Sequence, residues 1–495
     1  MKKPLLSAFY PQVPGLGRRG ILLLGLLGLL GHSPVAFAQS GFSPATTYPS
    51  NGTSTLGVAL GDVNGDGRPD IVAANQDTDN VSVLLSRTSP AGTFAPALTY
   101  STGPGTRPTG VALGDVNGDG RLDVVTGNQA TGSVSVLLGL ATAPGTFAPA
   151  ISYSSGGNSP NILALSDLNG DGRLDIATTN FNSGTVGVLL GLTSPAGTFA
   201  PAVTYATGGT GPVGIIIGDV SGDGRLDIVT GNNLGGGVSV LLGVSTAAGS
   251  FAPATTYASG GTGTVGVSLG DVNSDGRLDI VAANSSSATV GVLLGAGPTP
   301  GAFASAVTYP SGGVGPNFAL LSDINGDGRL DIVTANNSNG TVGVLTGLTA
   351  APGTFAPVVT YSSGGSGPGD IALADVNGDG RRDIVTANYM SGSVAVLLNS
   401  YVLAAASGQI PAAITLYPNP AHDAFTVLVP AGLGAATAQV ELLNTLGQVV
   451  HRQQTAALPA AGARLLVETT GLPAGIYTVR FRAGAAAGTR RLVLQ

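Results

Sequence analysis

The stretch that decides the fold is DVNGDGRPD, residues 62–70. Its first Asp recurs at Asp115, Asp167, Asp219, Asp271, Asp323 and Asp375, a spacing of 53 residues once and 52 five times. Self-similarity at a fixed period of this length marks a repeat architecture rather than an ordinary globular domain.

Working outward, a Phe-led segment such as FAPALTY precedes each copy, starting at Phe42, Phe94, Phe147, Phe199, Phe251, Phe303 and Phe355, and a VSVLL-like segment follows it. In the second unit VALGDV (111–116), DVVTGN (123–128), VSVLLG (134–139) and FAPAISY (147–153) read as four β-branched, apolar strands separated by Gly/Asn/Asp turns. Four strands in about 52 residues suit one propeller blade. The first Phe segment, residues 42–48, precedes any Asp motif, whereas VAVLL (394–398) has no Phe segment after it. The N-terminal strand is therefore expected to complete the last blade and close the ring, which hides sheet edges that an open array would expose. Composition agrees: 79 Gly with only two Glu and two Lys disfavours helices. The fold class expected is all-β, a seven-bladed β-propeller over 39–400 followed by a small immunoglobulin-like β-sandwich.

Within D-x-N-G-D-G-R-x-D, oxygen-bearing side chains fall at positions 1, 3, 5 and 9, and the Gly at position 6 permits the sharp turn that folds them round one point. The candidate ligands are Asp62, Asn64, Asp66 and Asp70; Asp115, Asn117, Asp119 and Asp123; Asp167, Asn169, Asp171 and Asp175; Asp219, Ser221, Asp223 and Asp227; Asp271, Asn273, Asp275 and Asp279; Asp323, Asn325, Asp327 and Asp331; Asp375, Asn377, Asp379 and Asp383. The backbone carbonyls of Arg68, Arg121, Arg173, Arg225, Arg277, Arg329 and Arg381 at position 7 complete each set. Hard oxygen donors with three crowded carboxylates select a hard divalent cation, and ligand number and loop flexibility favour calcium over magnesium, up to seven ions. The bidentate Glu of an EF-hand is missing at position 12, so these are strand-loop-strand sites. Ser221 replaces Asn in the fourth loop and Ser274 replaces Gly in the fifth, and the fourth site is expected to be the weakest. Between 39 and 400 the motifs hold 21 of 24 acidic residues against ten Arg, a net charge of −14 that seven divalent ions would neutralise.

The Phe-led strand, the Asp loop and the closing Ala-Asn resemble the FG-GAP and VCBS repeats of integrin-like propellers over residues 42–399. The resemblance implies calcium in the loops between first and second strands on one face, and ligand contact on the opposite face. Each second strand ends in Asn (75, 128, 180, 232, 284, 336 and 388), for which a local turn hydrogen bond is the simpler reading. The variable residues nearby give Arg107, Asn161, Phe181, Phe318, Asp370 and Tyr389 as candidates for a partner surface.

At the N-terminus Lys2, Lys3, Arg18 and Arg19 precede the apolar run 21–30 and Ala36-Phe37-Ala38, the order of a secretory signal peptide over 1–38. That run is too short to span a bilayer, so no transmembrane segment is expected in the mature chain. Beyond a linker at 401–411, LYPNPAHDAFTVLVP, VELLNTLGQVV, GLPAGIYTVRF and TRRLVLQ resemble the type A sorting domain of the type IX secretion system, over 412–495. This resemblance implies recognition by the outer-membrane secretion machinery, removal of the tail, and a secreted or cell-surface product.

Between 39 and 400 there is no His, Cys, Lys or Glu, so no catalytic site is expected. Asp77, Asp79 and Asp370 are the unassigned carboxylates there. The acidic balance disfavours nucleic acid. The leading expectation is an adhesion or interaction propeller for an extracellular protein or glycan; the alternatives are a lectin or carbohydrate-active enzyme using Asp370 or Asp77, and a passive surface repeat.

Overall fold

The computed structural model describes residues 41–245, 248–297, 300–401, 415–429, 438–443, 449–455, 463–483 and 486–495. The signal-peptide reading of 1–38 and nearly all of the linker fall outside these residues. The described chain is all-β, with three short 3₁₀ turns.

Each repeat builds one four-stranded antiparallel sheet in sequence order. The first comprises Thr55–Gly61, Asp70–Asn75, Asn80–Leu84 and Leu98–Ser101, and six further sheets follow the same plan. Inner strands begin with a register shift, between Thr55 and Gly57 in the first sheet, and then pair continuously from Gly57↔Ala74 to Gly61↔Asp70. The second strands are buried along their entire length, because both faces of every sheet are covered by neighbours. Ile71 and Leu84 of the first sheet pack with Val385 and Val396 of the seventh, while Val72 and Val83 pack with Val124 and Leu137 of the second. One apolar core of this kind lies between each successive pair of sheets, and the series returns to its start. Seven sheets therefore form a closed ring, the β-propeller expected from the repeat.

Closure is made as the sequence implied. Thr46–Pro49 pairs antiparallel with Ser393–Leu397, from Thr46↔Val396 to Pro49↔Ser393, and supplies the outer strand of the last sheet. The outer strands are shorter than the sequence suggests: the second sheet's covers only Ile151–Ser154, and Phe147 stands apart in a single bridge to Gly139. Its ring has another task. Phe147 meets Tyr100 of the preceding sheet edge-on at 5.3 Å, and the same Tyr–Phe contact joins every neighbouring pair of sheets at 5.2–5.5 Å. At the closure Phe42 also meets Tyr401 at 5.7 Å, and Tyr401 is only 5% exposed. The packed core thus reaches one residue past Ser400.

The C-terminal β-domain has a three-stranded sheet (Thr415–Tyr417, Ala424–Val429, Ala463–Glu468) and a four-stranded one (Val449–Thr455, Ala438–Leu443, Gly475–Ala483, Ala486–Leu494). Phe425, Val427 and Val467 of the first share one core with Val440, Leu442, Phe481 and Leu492 of the second. The buried Glu441 is held by Arg452 and Arg480 at 2.7 and 2.6 Å, which satisfies its charge.

Candidate functional site

The Asp loops join inner and second strands, so the ring carries all seven on one face. Their geometry follows from the chemistry of each position. In the first loop Asp62 Oδ1 accepts from the N–H groups of Gly65 and Asp66, and Oδ2 from Gly67 at 2.6 Å. Asn64 Oδ1 accepts from Asp66 N, and Asp66 Oδ1 from Arg68 N. Gly65 and Gly67 sit at φ 78° and 81°, the left-handed region that lets successive N–H groups point inward. Ser274 takes the same conformation at φ 63° in the fifth loop, a strained choice for a residue with a Cβ.

Position 9 is a structural clasp. Asp123 is fully buried; its Oδ2 accepts from Val116 N at 2.9 Å and its Oδ1 from Gly139 N at 2.7 Å, fixing the loop against the end of the third strand. All seven copies repeat the two bonds. Burial pushes Asp70, Asp123, Asp331 and Asp383 up to about 6, against the opposing pull of the amides; the carboxylates at positions 5 and 1 add to the rise.

Position 7 holds a group that sequence reading used only for its carbonyl. The guanidinium of Arg68 pairs with Asp66 at 2.6 Å and that of Arg381 with Asp379 at 2.6 Å. Arg121, Arg173, Arg225 and Arg329 pair likewise with Asp119, Asp171, Asp223 and Asp327. In five loops the Arg Nε also donates to a carbonyl at the end of the third strand, such as Gly139 O. The fifth loop differs: Arg277 donates to Gly297 O at 3.0 Å, and Asp275 borders a cleft of about 430 Å³ that also reaches Asp219 and Ser221 of the fourth loop.

Judged by donor chemistry, the loops fit a hard divalent cation: the side chains are oxygen donors, and three carboxylates of one loop feel each other's charge. Their present arrangement is organised round backbone amides and a guanidinium instead. Among the described residues no three His, Cys, Asp or Glu side chains are gathered as a metal-holding group.

The other candidates lie towards the opposite ends of the strands. Asp370, on the seventh inner strand, accepts from Val58 N at 3.1 Å and from its own Ile371 N at 2.8 Å, and burial pushes its carboxyl up to about 7. Phe318, on the sixth inner strand, packs against the core between sixth and seventh sheets. The Asn161 carbonyl accepts from Thr109 Oγ1 of the neighbouring sheet. Arg107 pairs with Asp77 at 2.8 Å and reaches Gln76 Oε1 at 3.3 Å; Tyr389 Oη donates to the same Gln76 oxygen at 3.3 Å, and Gln76 Nε2 to Gln129 Oε1 at 3.1 Å. Asp79 accepts from Gly105 N and Arg107 N. Arg107 and Tyr389 thus converge on Gln76 across the closure, whereas Phe181 is half-buried on the third sheet, where its ring and the exposed Leu234 both approach Gly211. The strand-ending Asn residues do more than shape a turn: Asn75 donates to Ser82 Oγ at 2.6 Å and Asn128 to Ser135 Oγ at 2.7 Å, tying second strand to third. Gly157 must be Gly there, because a Cβ would lie 2.7 Å from the Asn180 side chain.

Solved structures similar to the chain include BBS1N in complex with ARL6DN (13% identity, 74% of this chain and 100% of that one, TM-score 0.49). PorZ, a bacterial surface component of the type-IX secretion system of Porphyromonas gingivalis, is 12% identical over 90% of this chain and 59% of its own, at a TM-score of 0.45. A putative 6-phosphogluconolactonase from Bacteroides uniformis is 16% identical over 66% and 98%, at 0.44. No curated protein matches the chain. The model of the FG-GAP-like repeat matches residues 62–126, 115–178, 167–230, 219–282 and 323–386, and that of the secretion system C-terminal sorting domain matches 415–495. The sorting domain marks the protein for the secretion machinery and for export to the cell surface or extracellular space, and among the described residues no helix is long and apolar enough to cross a membrane. The chain belongs to the FG-GAP-like repeat family and ends in a secretion system sorting domain.

Proposed function

We propose that this protein is an exported calcium-binding propeller that serves as an adhesion or interaction module, taking an extracellular protein or glycan on the face opposite the Asp loops. The observation that carries the reading is the sevenfold recurrence of one all-oxygen loop on a single face of a closed ring. Calcium there would join Asp side chains at positions 1, 5 and 9, the Asn or Ser at position 3 and the position-7 carbonyl, and would relieve the repulsion behind the net charge of −14.

The unassigned carboxylates support binding over catalysis. Asp370 holds two backbone amides, Asp77 pairs with Arg107, and Asp79 fixes the turn before Arg107, so each has a structural task. Attachment of the purified protein to cells, matrix and glycan arrays, measured with calcium and with chelator, tests the reading. Calcium-dependent attachment to one class of surface is expected, and none on any surface would count decisively against it.

A second reading has one observation in its favour: the carboxyl of Asp370 is raised to about 7, the range of a general acid or base. It would make the protein a carbohydrate-active enzyme. Turnover of a polysaccharide that is unchanged in the Asp370→Asn, Asp77→Asn double variant would remove it.

A further inference from the structure

Six of the seven Asp loops carry the same ion pair, from the position-7 guanidinium to the position-5 carboxylate, and the fifth does not. The pair is local, two residues apart, and is made by the carboxylate oxygen that the loop backbone leaves over. Asp66 Oδ1 accepts from Arg68 N, whereas Oδ2 faces the guanidinium and the Asn64 amide. A guanidinium is always charged and binds a carboxylate as a cation does. It therefore occupies, electrostatically, the place where a divalent ion would act on position 5.

The second anchor of the same side chain shows that the arrangement is held rather than incidental. Arg381 Nε donates to Asn399 O at 2.9 Å while Asn399 N donates to Asp383 Oδ1 at 2.7 Å, so the guanidinium and the buried position-9 carboxylate hold the C=O and the N–H of one residue. Arg382, its neighbour in sequence, has no such role and reaches only Leu373 O at 3.4 Å. In the fifth loop Asp275 keeps the amide contacts of Arg277 N and Asn273 Nδ2 without the guanidinium.

Resting on the calcium reading above, we propose that the position-7 arginine is a built-in counter-ion of the Asp loop. It keeps the loop folded when calcium is scarce and competes with calcium for the position-5 carboxylate. The fifth loop, where the competitor is turned away, is then the tightest of the seven sites. The guanidinium is a positioning group in this scheme: it sets the affinity through the position-5 carboxylate and does not itself touch the ion.

The test uses the full chain and calcium alone. Arg68, Arg121, Arg173, Arg225, Arg329 and Arg381 are changed together to Gln, and calcium binding is followed by titration calorimetry. Half-saturating calcium is expected to fall about two- to fivefold, the factor that loss of an exposed ion pair allows. The Arg382→Gln variant, which also removes a positive charge beside a loop, should keep the wild-type value. An equal effect in both variants overturns the proposal. Should the sixfold variant not fold, Arg381→Gln and Arg382→Gln are compared by melting. Arg381→Gln should melt below wild type in chelator and level with it at saturating calcium, and Arg382→Gln should track wild type in both. A deficit of Arg381→Gln that persists at saturating calcium again overturns it. Wild type that takes up no calcium at all overturns the calcium reading itself.

Discussion

Asp370 Oδ2 accepts a hydrogen bond from the backbone N–H of Val58 at 3.1 Å, joining the seventh sheet to the first across 312 residues of sequence. The bond lies where the ring closes, beside the core in which Val58 and Ile71 meet Val385 and Val396. Removing the carboxylate leaves an inner-strand N–H without its acceptor. Asp370→Ala should lower stability by about 1–3 kcal/mol, the cost of orphaning a buried donor, read by urea unfolding at constant m. Calcium should not rescue it, because the bond is remote from the Asp loops.

Positions 5 and 9 of the loop have different tasks. Asp123 is buried and holds two amides, so Asp123→Asn, which puts an amide donor against an N–H, should cost about 1–3 kcal/mol with or without calcium. Asp119 is an exposed partner of Arg121, and Asp119→Asn should cost less than about 1 kcal/mol in chelator. The difference between the two variants in thermal melting separates the clasp from the ion pair.

The buried carboxylates also set a pH dependence. Asp70, Asp123, Asp331 and Asp383 bind their protons up to about 6 in the folded chain against a usual 3.8, so between those values the folded form holds more protons than the unfolded. A raised carboxyl makes folding more favourable as pH falls through that window and gives nothing further above it. In chelator the melting temperature should therefore rise as pH is lowered from 7 to 5. Saturating calcium, which favours the charged loops, should weaken or reverse the trend.

Tyr401 closes the aromatic series that runs between the sheets. It is edge-on to Phe42, its hydroxyl lies 3.2 Å from that of Tyr361, and its N–H donates to Asn399 Oδ1. Tyr401→Ala should cost about 3 kcal/mol, the toll of emptying a buried aromatic site. Denaturant titration of the full chain checks this.

The repeat made most of the fold legible. A strand-forming segment, an Asp loop and a Phe-led segment recurring at fixed spacing specify one sheet each, and the unmatched first and last pieces specify the closure. The loop chemistry was legible as a set of oxygen donors, because types and spacing are local. What sequence hides is which atom faces which. The Phe of each unit meets the Tyr of the preceding sheet and not a neighbour within its own, since the pairing depends on how sheets stack. Asp123 reads as a fourth ligand, and nothing in the sequence shows that its two oxygens also hold amides 7 residues before it and 16 after it. Asp370 reads as a free surface carboxylate because its partner Val58 lies in the first repeat. The Arg68–Asp66 pair could have been suspected, as opposite charges two residues apart in every loop, had the side chain been weighed beside the carbonyl.

The central claim is that the seven loops are calcium sites coupled to the stability of the ring. The most direct measurement is the melting temperature of the full chain by calorimetry in chelator and across millimolar calcium, with magnesium as the comparison, because an ion bound only to the folded state raises it by mass action. The account predicts a large rise that is selective for calcium and continues over roughly 10⁻⁴ to 10⁻³ M, the range of extracellular loops. A melting temperature indifferent to calcium would contradict it, leaving the Asp loops as turns closed by amides and arginine.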